Sequence, residues 1–487
     1  MTPESLLETQ TTEAPTADSS ATEAQTHTAE LLAAARRQGA AHVDERPNDN
    51  KSPSAQLYRL FWRWHFYAGM IVAPIILIAS ITGGLYIFIE ELRPLMYPTL
   101  FRAESAVDSG PPLSHAELAA AVTKEYPQAK VTAVTPTDVA ELNARVEVEL
   151  PKPEGRQVAM VDPRSGKVAG LYDEPNSFFG IVLGLHRRLL LNLPGRITVE
   201  LAASWGIVLL ITGVYLWWPR KSGRAQSPGA GVWYPRFKAP LTVVLRDLHT
   251  VVGFYGVATA AIVLFTGLFF TQFFGNAYKS IQNGLGGVPA SFAKRPDSAI
   301  TEAELAKKPA PISYDNALAV AEPLLPGEGP VRIDAPKGTK GSFRLARAGN
   351  SSPTWRRSVD VDQYSGAVLG TVGWNDLPAH QKVRISIYPI HVGSIYGTTT
   401  KILALLTCLA LVLLAITGVW MWWRRRPRGT WGLPPSNAGI GIPAWLLALI
   451  VVLGIIMPAV GISLLVILPL DFALMWYLGR GRATPAG

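Results

Sequence analysis

The chain has 487 residues, enough for several domains, and 48% of them are hydrophobic while only 17% are charged. That balance is unusual for a soluble protein and indicates a membrane protein. The formal net charge of +9 is no argument for nucleic-acid binding, because basic loops of membrane proteins record topology and contact anionic headgroups.

The N-terminal residues 1–54 are rich in Ala, Thr and Glu and contain few aromatic residues. Such a segment cannot bury enough apolar surface to fold, so we expect a disordered tail. No signal-peptide pattern precedes the first apolar stretch.

Five stretches without Asp, Glu, Lys or Arg follow, and a membrane-spanning helix needs about 20 apolar residues. They lie between Arg63 and Glu90, Glu200 and Arg220, Asp247 and Lys279, Lys401 and Arg424, and Arg428 and Asp471. The last stretch would form a straight helix of about 63 Å, and it contains Pro458 and Gly461 near its middle. We therefore predict a hairpin there and six spans in all.

Two short basic loops determine the predicted orientation, since Lys and Arg are retained on the cytoplasmic side. Six basic residues and no acid lie from Arg220 to Arg246, and four arginines lie within residues 424–428. We expect the N-terminus in the cytoplasm and two long segments outside the membrane.

These expectations describe an α-helical integral membrane protein with two α+β domains outside the membrane, on the side that we call periplasmic. The predicted segments are a cytoplasmic tail at 1–54, a first span at 55–92, a periplasmic domain at 93–177, an interfacial segment and second span at 178–219, a cytoplasmic loop at 220–246, a third span at 247–278, a second periplasmic domain at 279–378, an interfacial segment and fourth span at 379–423, a cytoplasmic loop at 424–440, a hairpin of two spans at 441–479 and a cytoplasmic tail at 480–487.

The sequence contains an internal parallel duplication of span, soluble segment and span. His186 and His391 each precede an Ile-Thr-Gly-Val sequence by 25 residues, and His65 and His249 each precede a Thr by 17 residues. The four Thr-Gly pairs are Thr82-Gly83, Thr212-Gly213, Thr266-Gly267 and Thr417-Gly418. Thr82-Gly83 and Thr266-Gly267 lie about 25 Å along the helix from His65 and His249. They are therefore either near the other two histidines or in ordinary contacts between helices.

The soluble segments repeat as well. Each has a helical pattern that starts with a serine, Ser114 or Ser313, and then a Val-Asp-x-x-Ser-Gly-x-Val-x-Gly sequence. The two copies of that sequence begin at Val161 and Val361, a shift of 200 residues. Because glycine supplies a positive φ, each copy predicts a tight turn between two strands.

With these turns and the spacing from His to Thr-Gly, the chain resembles the PepSY-associated transmembrane family over about residues 55–478. The soluble segments are accordingly similar to PepSY domains. Members with a similar layout include siderophore reductases of the bacterial inner membrane, so the resemblance implies reduction of a ferric siderophore or other ferric chelate.

The four repeated histidines are functional candidates, because a histidine at the edge of a span is costly without a partner. The topology assigns His65 and His249 to the cytoplasmic leaflet and His186 and His391 to the periplasmic surface. Two facing imidazoles suit six-coordinate haem iron, whereas zinc needs further ligands. We predict two b-type haems, bound non-covalently since Cys408 is the single cysteine.

Neighbouring residues are further candidates. Gly69 and Gly253 lie one turn after His65 and His249, where a missing side chain leaves room for a macrocycle or for close helix packing. Arg187 and Arg188 could pair haem propionates, hold an anionic ferric chelate or be ordinary interfacial cations.

The other histidines carry less information. His380 is open between an alternate ligand, a substrate contact and a surface residue. His27, His42 and His115 are expected at the surface.

The expected function is electron transfer across the membrane from a quinol or a cytosolic reductase to the ferric chelate. No nucleotide-binding motif is present, so the donor must be a separate molecule. One alternative is a sensor or inhibitor whose PepSY-like domains bind peptides or proteases. Another is a metal-ion transporter, which predicts acids inside the spans, yet only Glu200 and Asp471 lie near them.

Overall fold

The structure is a computed structural model, and it describes residues 53–105, 110–218, 229–286, 295–348, 353–430, 432, 442–467 and 469. The predicted tail at 1–54, except for its last two residues, and the predicted tail at 480–487 lie outside the described residues.

The first half of the chain runs from a membrane helix through a soluble segment to a second membrane helix. Its elements are α1 (Pro53–Ile87), α2 (Ile89–Met96), α3 (Pro98–Phe101), α4 (His115–Glu125), β1 (Lys130–Thr135), β2 (Ala144–Glu149), β3 (Arg156–Val161), β4 (Val168–Tyr172), α5 (Phe178–Arg188) and α6 (Asn192–Trp217).

The second half repeats this order and adds two short helices at its end. Its elements are α7 (Leu241–Leu268), α8 (Phe273–Gly284), α9 (Glu302–Leu305), α10 (Tyr314–Ala321), β5 (Val331–Asp334), β6 (Ser342–Arg347), β7 (Arg357–Asp362), β8 (Val368–Gly373), α11 (Ala379–His391), α12 (Thr398–Arg425), α13 (Ala444–Ile456) and α14 (Pro458–Ile467).

Four helices, α1, α6, α7 and α12, are long and apolar enough to cross a membrane. Each covers most or all of one of the charge-free stretches. A bilayer accepts such a stretch as helix because a helix satisfies its own backbone groups. The predicted six spans are not confirmed, since α13 has 13 residues and α14 is also short. The break at Met457 comes just before Pro458, which has no amide hydrogen to continue a helix.

The eight strands of the described residues form one sheet in the order β4-β3-β2-β1-β5-β6-β7-β8. Every neighbouring pair is antiparallel. The two soluble segments therefore join edge to edge through β1 and β5, where Ala133 pairs with Asp334 and Val134 with Ile333.

The predicted tight turns are confirmed. Gly166 and Gly366 have φ of 71° and 73°, and each donates its amide to the carbonyl of the preceding aspartate at 3.1 Å. The Asp362 carboxylate also accepts from Ser365 N at 3.0 Å. Burial raises the pKa of Asp362, but hydrogen bonds from the Ser298 hydroxyl and backbone amides outweigh burial and lower the pKa to about 2.

The serine-started helices are confirmed as α4 and α10. Ser114 and Ser313 cap them by accepting from backbone amides, Glu117 N in the case of Ser114. Each helix packs its apolar side on its own half of the sheet, and Tyr314 contacts the cores of both halves. The soluble segments thus share a continuous apolar layer beneath the two helices.

Candidate functional site

The four repeated histidines meet in two pairs between the membrane helices. His65 on α1 faces His249 on α7 with ring centres 6.3 Å apart and planes at 86°. His186 on α5 faces His391 on α11 with ring centres 6.1 Å apart and planes at 50°. Because α5 and α11 follow the last strand of each half, we call His186 and His391 the proximal pair and the other two the distal pair. All four side chains are partly exposed.

In the distal pair each imidazole is held by a threonine of its own half. His65 Nδ1 lies 2.9 Å from Thr212 Oγ1, and His249 Nδ1 lies 3.0 Å from Thr417 Oγ1. Each hydroxyl already donates its hydrogen to a carbonyl four residues earlier, at 2.8 and 2.6 Å. The hydroxyl oxygen therefore accepts, and Nδ1 must carry the imidazole hydrogen.

In the proximal pair the main partners are backbone carbonyls, and the hydroxyls of Thr82 and Thr266 lie 3.5 and 3.2 Å from the two Nδ1 atoms. His186 Nδ1 lies 2.9 Å from Ala79 O, and His391 Nδ1 lies 3.1 Å from Val263 O. A carbonyl oxygen accepts only, so Nδ1 again carries the hydrogen. All four rings are thus held as the tautomer whose Nε2 has a free lone pair, which is the form that binds iron.

The Thr-Gly pairs explain why the rings approach the helices so closely. A Cβ at Gly83 would lie 3.0 Å from His186 Cε1, and one at Gly267 would lie 3.1 Å from His391 Cε1. A Cβ at Gly213 would lie 3.3 Å from His65 Cε1, and one at Gly418 would lie 3.4 Å from His249 Cε1. Sequence reasoning found the Thr-Gly repeat but not this role, although the fixed spacing from each histidine was the available signal.

The spacing within each pair fits a bis-imidazole metal site. Two imidazoles that held one metal ion between them would have ring centres about 6 Å apart, from metal–nitrogen bonds of about 2 Å and about 1.1 Å between each nitrogen and its ring centre. The Thr82-Gly83 pair contacts the proximal pair, whereas His65 on the same helix belongs to the distal pair. The two sites are therefore about 25 Å apart along α1.

The two predicted glycines have helix neighbours. A Cβ at Gly69 would lie 3.9 Å from Leu209, and one at Gly253 would lie 3.4 Å from Leu414. These are ordinary van der Waals distances between α1 and α6 and between α7 and α12. A role for Gly69 and Gly253 beside a macrocycle stays a prediction.

Arg187 and Arg188 follow the proximal His186 directly and line a cavity of about 460 Å³. The cavity also borders Arg93 and Arg196, which come from α2 and the start of α6. The structure thus adds two guanidinium groups to the two that the sequence singled out. Apart from their charge, nothing in the sequence indicated that Arg93 and Arg196 line this cavity.

One prediction about the remaining histidines is wrong. His115 is buried, with 6% of its surface exposed, and its Nε2 bonds to Val331 O at 2.7 Å across the junction of the two halves. Burial lowers the pKa of His115 below its ordinary value despite that bond. The carbonyl of His380 accepts from Gln282, and His27 and His42 lie outside the described residues.

Two buried acids have structural partners. Glu200 accepts from the amides of Phe273 and Phe274 at 2.7 and 2.8 Å, which caps α8. Asp247 bonds to Arg236 and Arg246 at 2.7 and 2.8 Å. Within the described part of the chain, no group of three or more His, Cys, Asp or Glu side chains is placed to hold a metal ion.

A family model described as the PepSY-associated TM region matches residues 62–425. No curated protein matches the chain. The matched range begins three residues before His65 and ends with α12, so it contains both histidine pairs and all four Thr-Gly pairs. The chain belongs to the PepSY-associated transmembrane family.

Proposed function

We propose that this protein is a di-haem, b-type electron-transfer protein that reduces a ferric siderophore or another ferric chelate for iron uptake. The observation that carries the proposal is the pairing of four imidazoles, each with Nδ1 bonded and Nε2 left with its lone pair. A histidine kept only for packing needs no such tautomer, and a matched set of four in two halves is consistent with two equivalent sites.

The residues of the chain orient and insulate the iron sites. Thr212, Thr417 and the two backbone carbonyls fix the ring orientation and raise the basicity of Nε2, as hydrogen bonds to metal-binding imidazoles do. His65 with His249 and His186 with His391 would hold the two haems, and each haem, when bound, would supply a one-electron couple. The glycines let the rings sit against the helices, which keeps the four imidazoles in place.

The reaction needs a separate reductant. A quinol gives two electrons and two protons and reduces two Fe(III) chelates to Fe(II), while a reduced cytosolic protein gives its electrons singly. Fe(II) is a weaker partner than Fe(III) for hard oxygen ligands, so the chelate releases it. The resemblance to bacterial siderophore reductases supports an inner-membrane location for this proposal. The distribution of Lys and Arg supports an N-terminus in the cytoplasm and a sheet in the periplasm.

The proposal is tested by the absorption spectrum of the full chain purified from cells supplied with haem. We expect a Soret band that sharpens on reduction with dithionite. His186→Ala and His391→Ala should each remove the proximal haem alone, and His65→Ala and His249→Ala the distal haem alone. A folded protein without a Soret band would rule out the proposal and leave a peptide-binding sensor or a metal-ion transporter as the remaining functions.

A different result would contradict the assignment of the histidines to these two pairs. If every single variant were to lose both haems while its unfolding transition stayed that of the parent protein, the ligands would not be divided as proposed. His380→Ala is the matched control, since His380 is on the same helix as His391 and lies outside both pairs. It should keep both haems.

A further inference from the structure

The cavity beside the proximal pair is strongly cationic. Arg93, Arg187, Arg188 and Arg196 line it, and Glu174 is the single acid among its lining residues. Glu174 and Glu90 both bond to Arg93, whose side chain is only 3% exposed. The lining thus presents four guanidinium groups around about 460 Å³ of space.

Part of this charge has no partner in the part of the chain that the structure describes. Arg93 Nε is buried and bonds to nothing there. Arg187, Arg188 and Arg196 likewise form no ion pair among the described residues. Arg187 and Arg188 are exposed and Arg196 is half-buried, so water screens part of the repulsion among these cations, and an anion in the cavity would neutralise more of it.

The cluster belongs to one half of the duplicated chain only. At the offset of the proximal histidines, the places of Arg187 and Arg188 are taken by Val392 and Gly393. Arg196 corresponds to Lys401, whose ammonium group bonds to Glu91 at 2.7 Å. The histidines and Thr-Gly pairs occur in both halves, so the arginines are not part of what both halves need to hold an imidazole.

The backbone brings the arginines together by an unusual loop. Leu189, Leu190 and Asn192 have φ of 48°, 59° and 52°, which non-glycine residues seldom adopt. A Cβ at Gly195 would lie 1.7 Å from Arg188 O. The first turn of α6 therefore packs directly on the end of α5, and the strain is of the kind that is stored at functional sites.

We propose that this cavity binds the anionic, carboxylate-bearing side of the ferric chelate. Guanidinium groups bind carboxylates through two parallel hydrogen bonds, and the Tyr86 hydroxyl at the cavity wall can add a third. Tyr86 lies one helical turn beyond Thr82, which contacts His186. The lining also includes Arg187, which directly follows His186 on α5, so an anion held here lies at the end of α5 that carries His186. The assignment rests on the proposed function for the identity of the ligand, and its site stands on the cavity alone.

The test measures binding without electron transfer. The full chain in phosphatidylcholine nanodiscs is titrated by calorimetry with gallium(III) citrate, a redox-inert anion, and with the cationic gallium complex of desferrioxamine B. We expect the citrate complex to bind in preference. The double variant Arg187→Gln/Arg188→Gln should weaken that binding about tenfold or more, as loss of charge-assisted hydrogen bonds does.

The matched control is Arg384→Gln. Arg384 is an exposed arginine on α11, the counterpart of α5, and is absent from the cavity lining. It should bind gallium citrate as the parent protein does. If the double variant does not fold, the two single variants are measured instead, and each should bind gallium citrate more weakly than the parent. Binding of gallium citrate to the parent should also weaken as the salt concentration rises.

Three results would overturn the assignment. One is equal binding of gallium citrate by the parent protein and the double variant. Another is a double variant that loses haem or changes its midpoint potential yet binds gallium citrate normally, which assigns the arginines to haem propionates. The third is that phosphatidylglycerol displaces gallium citrate from the parent protein, and that the parent binds this lipid while the double variant does not. That result would mean that the cavity binds a lipid headgroup. Arginine-dependent binding in a protein without a Soret band would keep the cavity and remove the proposed redox function.

Discussion

Each imidazole of the two pairs is oriented by an acceptor that has no hydrogen to offer. Thr212 and Thr417 give their hydroxyl hydrogens to their own helices. Ala79 and Val263 present carbonyls. An unconstrained histidine exchanges its hydrogen between two nitrogens, whereas these four are held in one form, so the chemistry of Nε2 is decided by residues that never touch the ligand.

Replacing one of these acceptors tests the orientation at the residue scale. Thr417→Val keeps the volume but removes the acceptor of His249 Nδ1. We expect haem affinity at the distal pair to fall about 10- to 100-fold, the usual effect of losing such a partner, with a shifted midpoint potential for that haem alone. Thr417→Ser should restore both values.

Thr407→Val is the control for that substitution. Thr407 is on the same helix, is buried and bonds only to Leu403 O among the described residues. It should change neither the affinity nor the potential. Equal effects of the two valine substitutions would mean that the hydroxyl of Thr417 acts through helix packing and does not orient the imidazole.

At the scale of elements, the junction of the two half-sheets depends on few contacts. β1 and β5 pair over two registered positions, His115 bonds to Val331 O across the junction, and Arg332 bonds to Glu147 at 3.0 Å. The hydrogen bond with Arg332 lowers the pKa of Glu147, so this ion pair persists in mild acid. His115 is the group that titrates there.

We therefore expect the junction to weaken in mild acid. Burial lowers the pKa of His115, so below about pH 6.5 the separated strands bind a proton that the joined strands exclude. The stability that neutral His115 gives to the junction is fully present above that pH and declines as the pH falls below it. Hydrogen exchange of the β1 and β5 amides, corrected for intrinsic rates, should accelerate between pH 7 and about 5.

His115→Gln is the control variant. Glutamine can donate to Val331 O and does not titrate, so exchange at the junction should lose its acid dependence while β7 and β8 behave as before. The same acid response in the variant would assign the effect to another group.

At the scale of the whole molecule, each half holds its own histidines but neither half completes a site. His65 and His186 are oriented by acceptors of the first half, and His249 and His391 by acceptors of the second. The members of each pair come from opposite halves. The two pairs, which are about 25 Å apart along α1, therefore each need both halves of the chain.

This arrangement predicts how double substitutions combine. His65→Ala/His249→Ala should retain one haem, as each single variant does, because both changes affect one site. His65→Ala/His186→Ala should retain none, although both residues belong to the same half. Pyridine haemochrome assay of haem per chain measures this directly, and one haem in the second double variant would contradict the pairing across halves.

Much of the fold was predictable because its signals are local. The charge-free stretches indicated the four long helices, and the Asp-x-x-Ser-Gly sequences indicated the two turns with Gly166 and Gly366. The hairpin at the end was predicted as two spans from composition, yet α13 and α14 are short where the structure describes them. Composition signals apolar character, but helix length depends on where the chain turns.

The four histidines at repeated positions were found from the sequence alone, because the repeated spacings from His to Thr-Gly are visible without coordinates. The sequence also assigned them to two pairs, His65 with His249 and His186 with His391. Only the tertiary structure decided how closely the rings of each pair approach, that threonine hydroxyls and backbone carbonyls orient them and that the half-sheets join. It also decided that His115 is buried and that Arg93 reaches the cavity of Arg187 and Arg188. The physical reason is that these contacts join residues some 80 to 220 positions apart, where no local periodicity records the partner.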